Sequence, residues 1–361
     1  MNNWRGTLCG TLGIGALVAV GVWHAADPEM QPFCPLTFID AATGTTPLPQ
    51  LTVNRVYWSP DGRRILSLSR GKFDALGRLA LHATAETIGF TPLDVVTETI
   101  SCAALAPDGL HVLLGTGCGL LIWMDLQASK PVTLFKLPAL TGFSAVAVAD
   151  DGQRVAAATD TGAIYLFEPD GQNAMILTPD QKNSVAELHF SPDGAHLLSA
   201  QLDGRVTVWD LATGSAAQEF AGHEHGATAA AFLPDGKRVL SGGLDDTIRT
   251  WDRATGRELW RGKSGLYGVK ALALSPDGAT AACGGYAGKI ILWDIQREQK
   301  KLEIATRASV IFHLSYSPDG ASLAAAGTDS TIRLYDAQTG IERKGIEIDP
   351  TAQEAVATMS K

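Results

Sequence analysis

Leu233-Pro234-Asp235-Gly236-Lys237-Arg238-Val239-Leu240-Ser241-Gly242-Gly243-Leu244-Asp245-Asp246-Thr247-Ile248-Arg249-Thr250-Trp251-Asp252 holds two short strands and the turns that bound them. Pro fixes φ and Gly tolerates a reversal, so Pro234-Asp235-Gly236 reads as a tight turn. Residues 238–242 and 247–251 read as strands, with Leu244-Asp245-Asp246 reversing the chain between them. On the amino side, 227–233 gives a strand built around small residues. On the carboxyl side, Asp252-Arg253-Ala254-Thr255-Gly256 turns the chain into a fourth strand at 257–260. Four short strands in succession, joined by turns, predict one antiparallel sheet.

This unit recurs. Pro60-Asp61-Gly62, Pro107-Asp108-Gly109, Asp150-Asp151-Gly152, Pro192-Asp193-Gly194, Pro234-Asp235-Gly236, Pro276-Asp277-Gly278 and Pro318-Asp319-Gly320 are spaced by 47, 43, 42, 42, 42 and 42 residues. A period in the low forties marks one propeller blade per repeat. The predicted fold class is all-β, a single seven-bladed β-propeller of four-stranded antiparallel blades, preceded by one N-terminal hydrophobic helix. The first interval is longer because residues 72–77 extend a turn. Third strands end in Trp209-Asp210, Trp251-Asp252, Trp293-Asp294 and Tyr335-Asp336, and are degraded to Met124-Asp125 and Phe167-Glu168 earlier on.

Composition fits this reading. The chain has 361 residues, 45% hydrophobic and 19% charged, with 38 glycines, as a turn-rich domain with a sizeable core requires. Its formal net charge is −9 and no basic cluster exceeds that at 297–301, which argues against a nucleic-acid partner. Five cysteines (Cys9, Cys34, Cys102, Cys118, Cys283) show no C-x-x-C spacing, so no metal ribbon or redox pair is expected. Cys102 and Cys118 are read as two small buried thiols rather than a disulfide.

The amino terminus stands apart. Residues 6–23 form an uncharged, largely apolar run of 18 after Arg5, long enough for a membrane span. One cation before it and acids after it place the amino end in the cytoplasm and the propeller on the other side. A cleaved signal peptide competes, with Ala19-Val20-Gly21 as a small-x-small site. The expected domains are 1–26 as signal peptide or signal anchor, 27–34 as linker, 35–348 as propeller and 349–361 as a polar tail. The localisation expected is membrane-anchored or exported.

The Trp-Asp pairs at 209–210, 251–252 and 293–294, and the Gly-His at 222–223, make the chain resemble the WD-repeat β-propeller family over about residues 35–340. The motifs are strong in repeats four to seven and weaker in one to three. In that family a His, a strand Ser or Thr, a turn Asp and the Trp form a buried tetrad. The resemblance assigns it to His223, Ser241, Asp245 and Trp251, and a buried carboxylate does need such donors. Other blades keep fragments, such as Asp203 with Trp209 and Asp329 with Tyr335. The sixth has Ala287 where the turn Asp would stand.

Such rings close where the chain ends meet. Residues 38–44 echo 335–340 as a partial eighth repeat, so 46–51 and 342–348 compete for the outer strand of the seventh blade. Pro47 and Pro49 are tolerated on an unpaired edge, and the amino-terminal segment is the favoured one.

No catalytic constellation emerges, and no cofactor or metal is expected. His223-Glu224-His225 is better used by the tetrad, and Gly115-Thr116-Gly117-Cys118-Gly119 lacks the following helix that a phosphate loop needs. What remains is surface. The resemblance implies partner binding on the ring face at the channel mouth. Two kinds of position point there: the residue six before each Pro, and the one before each turn Asp. The first set is Asn54, Ser101, Ser144, Ala186, Thr228, Lys270 and Phe312, and the second is Leu202, Leu244, Tyr286 and Thr328. From these, Leu202, Leu244, Lys270, Tyr286 and Phe312 form the expected partner-binding rim, since large apolar groups at a rim anchor protein partners. The expected function is a non-catalytic, exported or membrane-tethered scaffold for a protein partner. The alternative is a lactonase-like or quinoprotein-like propeller enzyme, which a cluster of His and carboxylates lining the channel would favour.

Overall fold

The computed structural model describes residues 17–19, 38–40, 51–71, 77–83, 90–92, 99–128, 130–137, 141–177 and 183–347. Seven four-stranded antiparallel sheets follow one another along the chain, at 51–92, 100–136, 143–177, 185–221, 227–263, 269–305 and 311–347. We call them blades 1 to 7. Within each, the strands lie in chain order, and the first strands stand side by side around a central channel. Ile311–Tyr316 lies beside Leu51–Trp58, which closes the ring.

Both faces of a blade are buried against its neighbours, so the core is divided rather than central. Seven hydrophobic clusters occupy the seven blade-to-blade interfaces, one each. Small residues let the crowded inner strands approach: the first strand of blade 5, Ala227–Phe232, is buried along its whole length. On one ring face the Pro-Asp-Gly turns meet. A Cβ on Gly278, whose φ is +66°, would come within 2.4 Å of Pro234 in the preceding blade. Only glycine fits there, for its φ and for its lack of bulk. The turns are locally self-bonded as well, Ser275 Oγ donating to Asp277 Oδ1 at 2.5 Å and accepting from Thr280 N at 2.9 Å.

The outer strand of blade 7 corrects the sequence expectation. It is Glu342–Glu347, from the carboxyl side, and not the amino-terminal segment. Asp336 Oδ1 accepts from the amides of Gln338 at 3.0 Å and Thr339 at 2.8 Å, which folds a tight hairpin into that strand. Closing so short a loop costs far less entropy than recruiting a strand from the other end of the chain. Phe38–Asp40, in the segment read as a partial eighth repeat, pairs instead with Leu17–Ala19.

Those three residues, 17–19, are the only described part of the apolar run 6–23 and form a strand; the helix expected there otherwise lies outside the described residues. Among the described residues no helix is long and apolar enough to cross a membrane. Cys102 and Cys118 are not disulfide-bonded. Cys102 is buried as expected, whereas Cys118 is exposed at a turn.

Candidate functional site

The four tetrad residues of blade 5 form one hydrogen-bonded chain. Trp251 Nε1 donates to Ser241 Oγ at 2.8 Å. That hydroxyl lies 2.8 Å from His223 Nε2, and His223 Nδ1 lies 3.0 Å from Asp245 Oδ1. The consistent direction runs Trp251 to Ser241 to His223 to Asp245, with a neutral imidazole protonated on Nδ1. Burial holds the His223 pKa below its usual value against the pull of Asp245. Burial opposes the Asp245 charge, but bonds from His223 and Thr247 outweigh it and its pKa is lowered. Arg249 adds an ion pair to Asp245 at 2.9 Å and another to Glu258 at 2.8 Å.

The same register positions in other blades vary as pairs. Where blade 5 has Trp251, the ring in chain order has His82, Met124, Phe167, Trp209, Trp251, Trp293 and Tyr335. Where it has Ser241, the ring has Ser67, Leu114, Ala157, Ser199, Ser241, Cys283 and Ala325. A hydroxyl faces a ring nitrogen in blades 1, 4 and 5: Ser67 Oγ lies 2.7 Å from His82 Nε2, and Trp209 Nε1 donates to Ser199 Oγ at 3.0 Å. Apolar residues face each other in blades 2 and 3. Blades 6 and 7 are mismatched, and there the buried Trp293 Nε1 and Tyr335 OH have no hydrogen-bond partner among the described residues.

On the ring face opposite the Pro-Asp-Gly turns, every first strand carries a β-bulge. The unpaired residues are Asn54, Ser101, Ser144, Ala186, Thr228, Lys270 and Phe312, the positions six before each Pro. A bulge re-aims a side chain. Two of them staple neighbouring blades: Ser101 Oγ donates to Phe143 O at 2.5 Å and Thr228 Oγ1 to Val269 O at 2.6 Å. Lys270 and Phe312 are half-buried at this level.

The residues before the turn Asp are held more outwardly. Leu202 N donates to Ser184 O at 3.0 Å, Leu244 N to Gly226 O at 2.9 Å and Tyr286 N to Leu266 O at 2.9 Å. Their side chains stay in solvent, 48%, 37% and 45% exposed respectively. The largest exposed aromatic of this face, Tyr267, was not singled out from the sequence. It is 82% exposed, and a Cβ placed on Gly268 beside it would lie 3.4 Å from Leu244 and 3.5 Å from Tyr286.

Asp246 fixes the Tyr267 loop. Its Oδ1 accepts from Ser264 Oγ at 2.5 Å, Leu266 N at 2.8 Å and Gly268 N at 3.4 Å, and its Oδ2 from Gly265 N at 3.2 Å. Both Asp246 (φ 65°) and Tyr267 (φ 56°) adopt the left-handed backbone that disfavours side chains. The matching turns of blades 4 and 6 use Gly204 and Gly288 there. Such strain clusters at functional sites.

The channel is the other polar feature missed from sequence. One and three residues past each bulge, blades 5 and 6 carry only alanine: Ala229, Ala231, Ala271 and Ala273. Blades 1, 4 and 7 instead carry Arg55 and Tyr57, Glu187 and His189, and His313. With Asp150 they line a cavity of about 220 Å³. Burial pushes the Glu187 pKa up to about 7 against the lowering effect of Arg55, and burial and Arg55 together push His313 down to about 3.

His189 and His313 with Glu187 and Asp150 are the His and carboxylate cluster that would favour an enzyme. Among the described residues no channel His is hydrogen-bonded to a carboxylate, and burial holds the Cys102 thiol protonated, with its pKa up to about 11. No group of metal-ligating side chains converges among the described residues.

Residues 173–210, 214–252, 260–294 and 299–336 match the family model for the WD domain, G-beta repeat. With the seven-bladed ring, these repeats make the chain a WD-repeat β-propeller protein. It is similar to the U3 small nucleolar RNA-associated protein 18 homolog of Arabidopsis thaliana, 33% identical over 31% of this chain and 20% of that one. It is 27% identical to an uncharacterised WD repeat-containing protein of Synechocystis, over 34% of this chain and 35% of the relative. It is 25% identical to the Protein LST8 homolog of Drosophila melanogaster, over 30% and 37%. The matched stretches thus span between 20% and 37% of these relatives' lengths.

Proposed function

We propose that this chain is a non-catalytic interaction scaffold that docks a protein partner on the ring face carrying Leu202, Leu244, Tyr267 and Tyr286. The observation that carries this reading is Tyr267. It is an aromatic left 82% in solvent, on a strained loop that Asp246 clamps between two further apolar groups. An aromatic gains little from water, and rigid aromatic anchors flanked by apolar neighbours are what protein interfaces use. Lys270 and Phe312, half-buried at the bulges, form the inner border of the surface. The formal charge of −9 disfavours nucleic acid on this face. The apolar run 6–23 supports a further reading in which the ring is tethered to, or exported across, a membrane.

The test is affinity capture with the full-length protein from its native cells, comparing wild type with Tyr267→Ala and with Tyr286→Ala plus Phe312→Ala. Loss of the same partner from both variants, at unchanged melting temperature, is the expected result. Undiminished capture by folded variants overturns the assignment of the face.

A further inference from the structure

We propose that the central channel is a binding site for a small zwitterion of the free α-amino acid class, its carboxylate held by Arg55 and His313 and its ammonium by Glu187. The cavity is electrically polarised across its width. Arg55 and His313 stand on adjacent blades 1 and 7, whereas Glu187 and His189 share the first strand of blade 4. The Arg55 guanidinium makes no hydrogen bond or ion pair within the described residues, although it is close enough to Glu187 and His313 to act on both electrostatically. A cation and an anion that face one cavity without touching leave room for a group that satisfies both.

The two histidines present opposite tautomers. His313 Nδ1 accepts from Val56 N at 3.4 Å, which leaves Nε2–H as a donor on the Arg55 side. His189 Nδ1 is bonded to Phe190 O at 2.8 Å, so it carries the proton and Nε2 remains an acceptor, on the strand that also carries Glu187. Among the described residues Glu187 accepts only from Ala230 N, at 3.1 Å through Oε2, which leaves Oε1 available. Donors therefore line one wall and acceptors the other. Tyr57 tilts against His313 with ring centroids 4.9 Å apart, and its hydroxyl is already spent on Ala103 O. A simple anion would leave Glu187 repelling it, and a simple cation would meet Arg55. A molecule with both charges on a few atoms matches both walls and a cavity of about 220 Å³.

The test uses the folded full-length protein and the twenty common L-amino acids singly, at millimolar concentration, read by thermal shift and then by calorimetry. At least one should bind with unit stoichiometry. Its amide, which lacks the carboxylate, and its N-acetyl derivative, which lacks the ammonium, should each bind about a hundredfold or more weakly, since each strands a charged wall group. Arg55→Gln and Glu187→Gln should each abolish binding while circular dichroism stays unchanged, and Tyr267→Ala should leave it intact. Three outcomes overturn the proposal: no amino acid binds, amide and parent bind alike, or inorganic phosphate binds through Arg55 without regard to Glu187. Because Tyr267→Ala separates the channel from the ring face, failure of one reading leaves the other standing.

Discussion

The hydroxyl of Ser241 lies 2.8 Å from His223 Nε2, with the indole N–H of Trp251 donating to the same oxygen. One small side chain thereby satisfies two buried rings. Ser241→Ala should cost about 2 kcal/mol, because it orphans both at once. Asp245→Ala should cost more, about 3–5 kcal/mol, because it takes from the buried Arg249 one of its two carboxylate partners and removes the acceptor that His223 Nδ1 faces. Urea denaturation of the two variants against wild type checks the order.

Trp293 sits where Trp251 does, but Cys283 stands at the Ser241 position and the indole N–H has no acceptor among the described residues. Cys283→Ser should therefore stabilise the ring by about 1 kcal/mol, by giving a buried N–H its partner. Ser199→Ala, which removes the acceptor from Trp209, should destabilise by a similar amount. Opposite signs from a gained and a lost hydroxyl are the expected result. Equal losses would show that the register rule does not hold.

Two buried groups tie stability to pH with opposite sign. Burial lowers His82 to about 4, so below its ordinary pKa of about 6.5 the unfolded chain takes up a proton that the folded chain refuses. Stability then falls as pH drops from about 6.5 towards 4, by on the order of 2 kcal/mol. Glu187, raised to about 7 by burial, works the other way: its contribution is complete at low pH and is lost as pH rises through 7. His82→Gln should flatten the acid limb of a stability–pH curve. Glu187→Gln should raise stability at pH 8 by on the order of 1 kcal/mol, allowing for channel water, and add nothing at pH 4.

The Asp246 clamp has its own signature. Asp246→Gly relieves a strained φ while removing four hydrogen bonds from the loop below Tyr267. Amide exchange at Leu266 and Gly268 should accelerate by about tenfold or more. Melting temperature should change little, and partner capture should fall with the loosened loop.

The sequence made some of this legible and hid the rest for physical reasons. The turn between the first two strands of each blade keeps Asp-Gly, with Pro before it in all copies but Asp150-Asp151-Gly152, so the blade count could be read from seven tripeptides. The tetrad could be read because its members are rare residue types at fixed spacing. Repeats one to three look weak because the partnership persists while its chemistry changes: Met124 with Leu114 and Phe167 with Ala157 are apolar versions of Trp251 with Ser241. Tyr267 left no such trace, since it lies in the connection before an inner strand and outside the repeated turns. Arg55, Glu187 and His313 escaped notice because they lie far apart in sequence, and only the bulges bring them to one level of the channel. The outer strand of blade 7 departs from the expectation because the partial repeat at 38–44 points to the amino-terminal end, whereas the hairpin that Asp336 directs brings in the carboxyl-terminal one.

Among the described residues, each blade takes all four strands from one continuous stretch, so no strand is exchanged across the seam between blades 7 and 1. That seam is held by Val53, Val56 and Ile65 against Ala324, Ala326 and Ile332, with Trp58 Nε1 donating to Ser315 O at 3.2 Å. Mechanically the disc is a split washer whose two lips touch without interlocking. Its order of assembly is therefore free of its order of synthesis: a chain recut at any inter-blade connection and spliced across the seam describes the same ring.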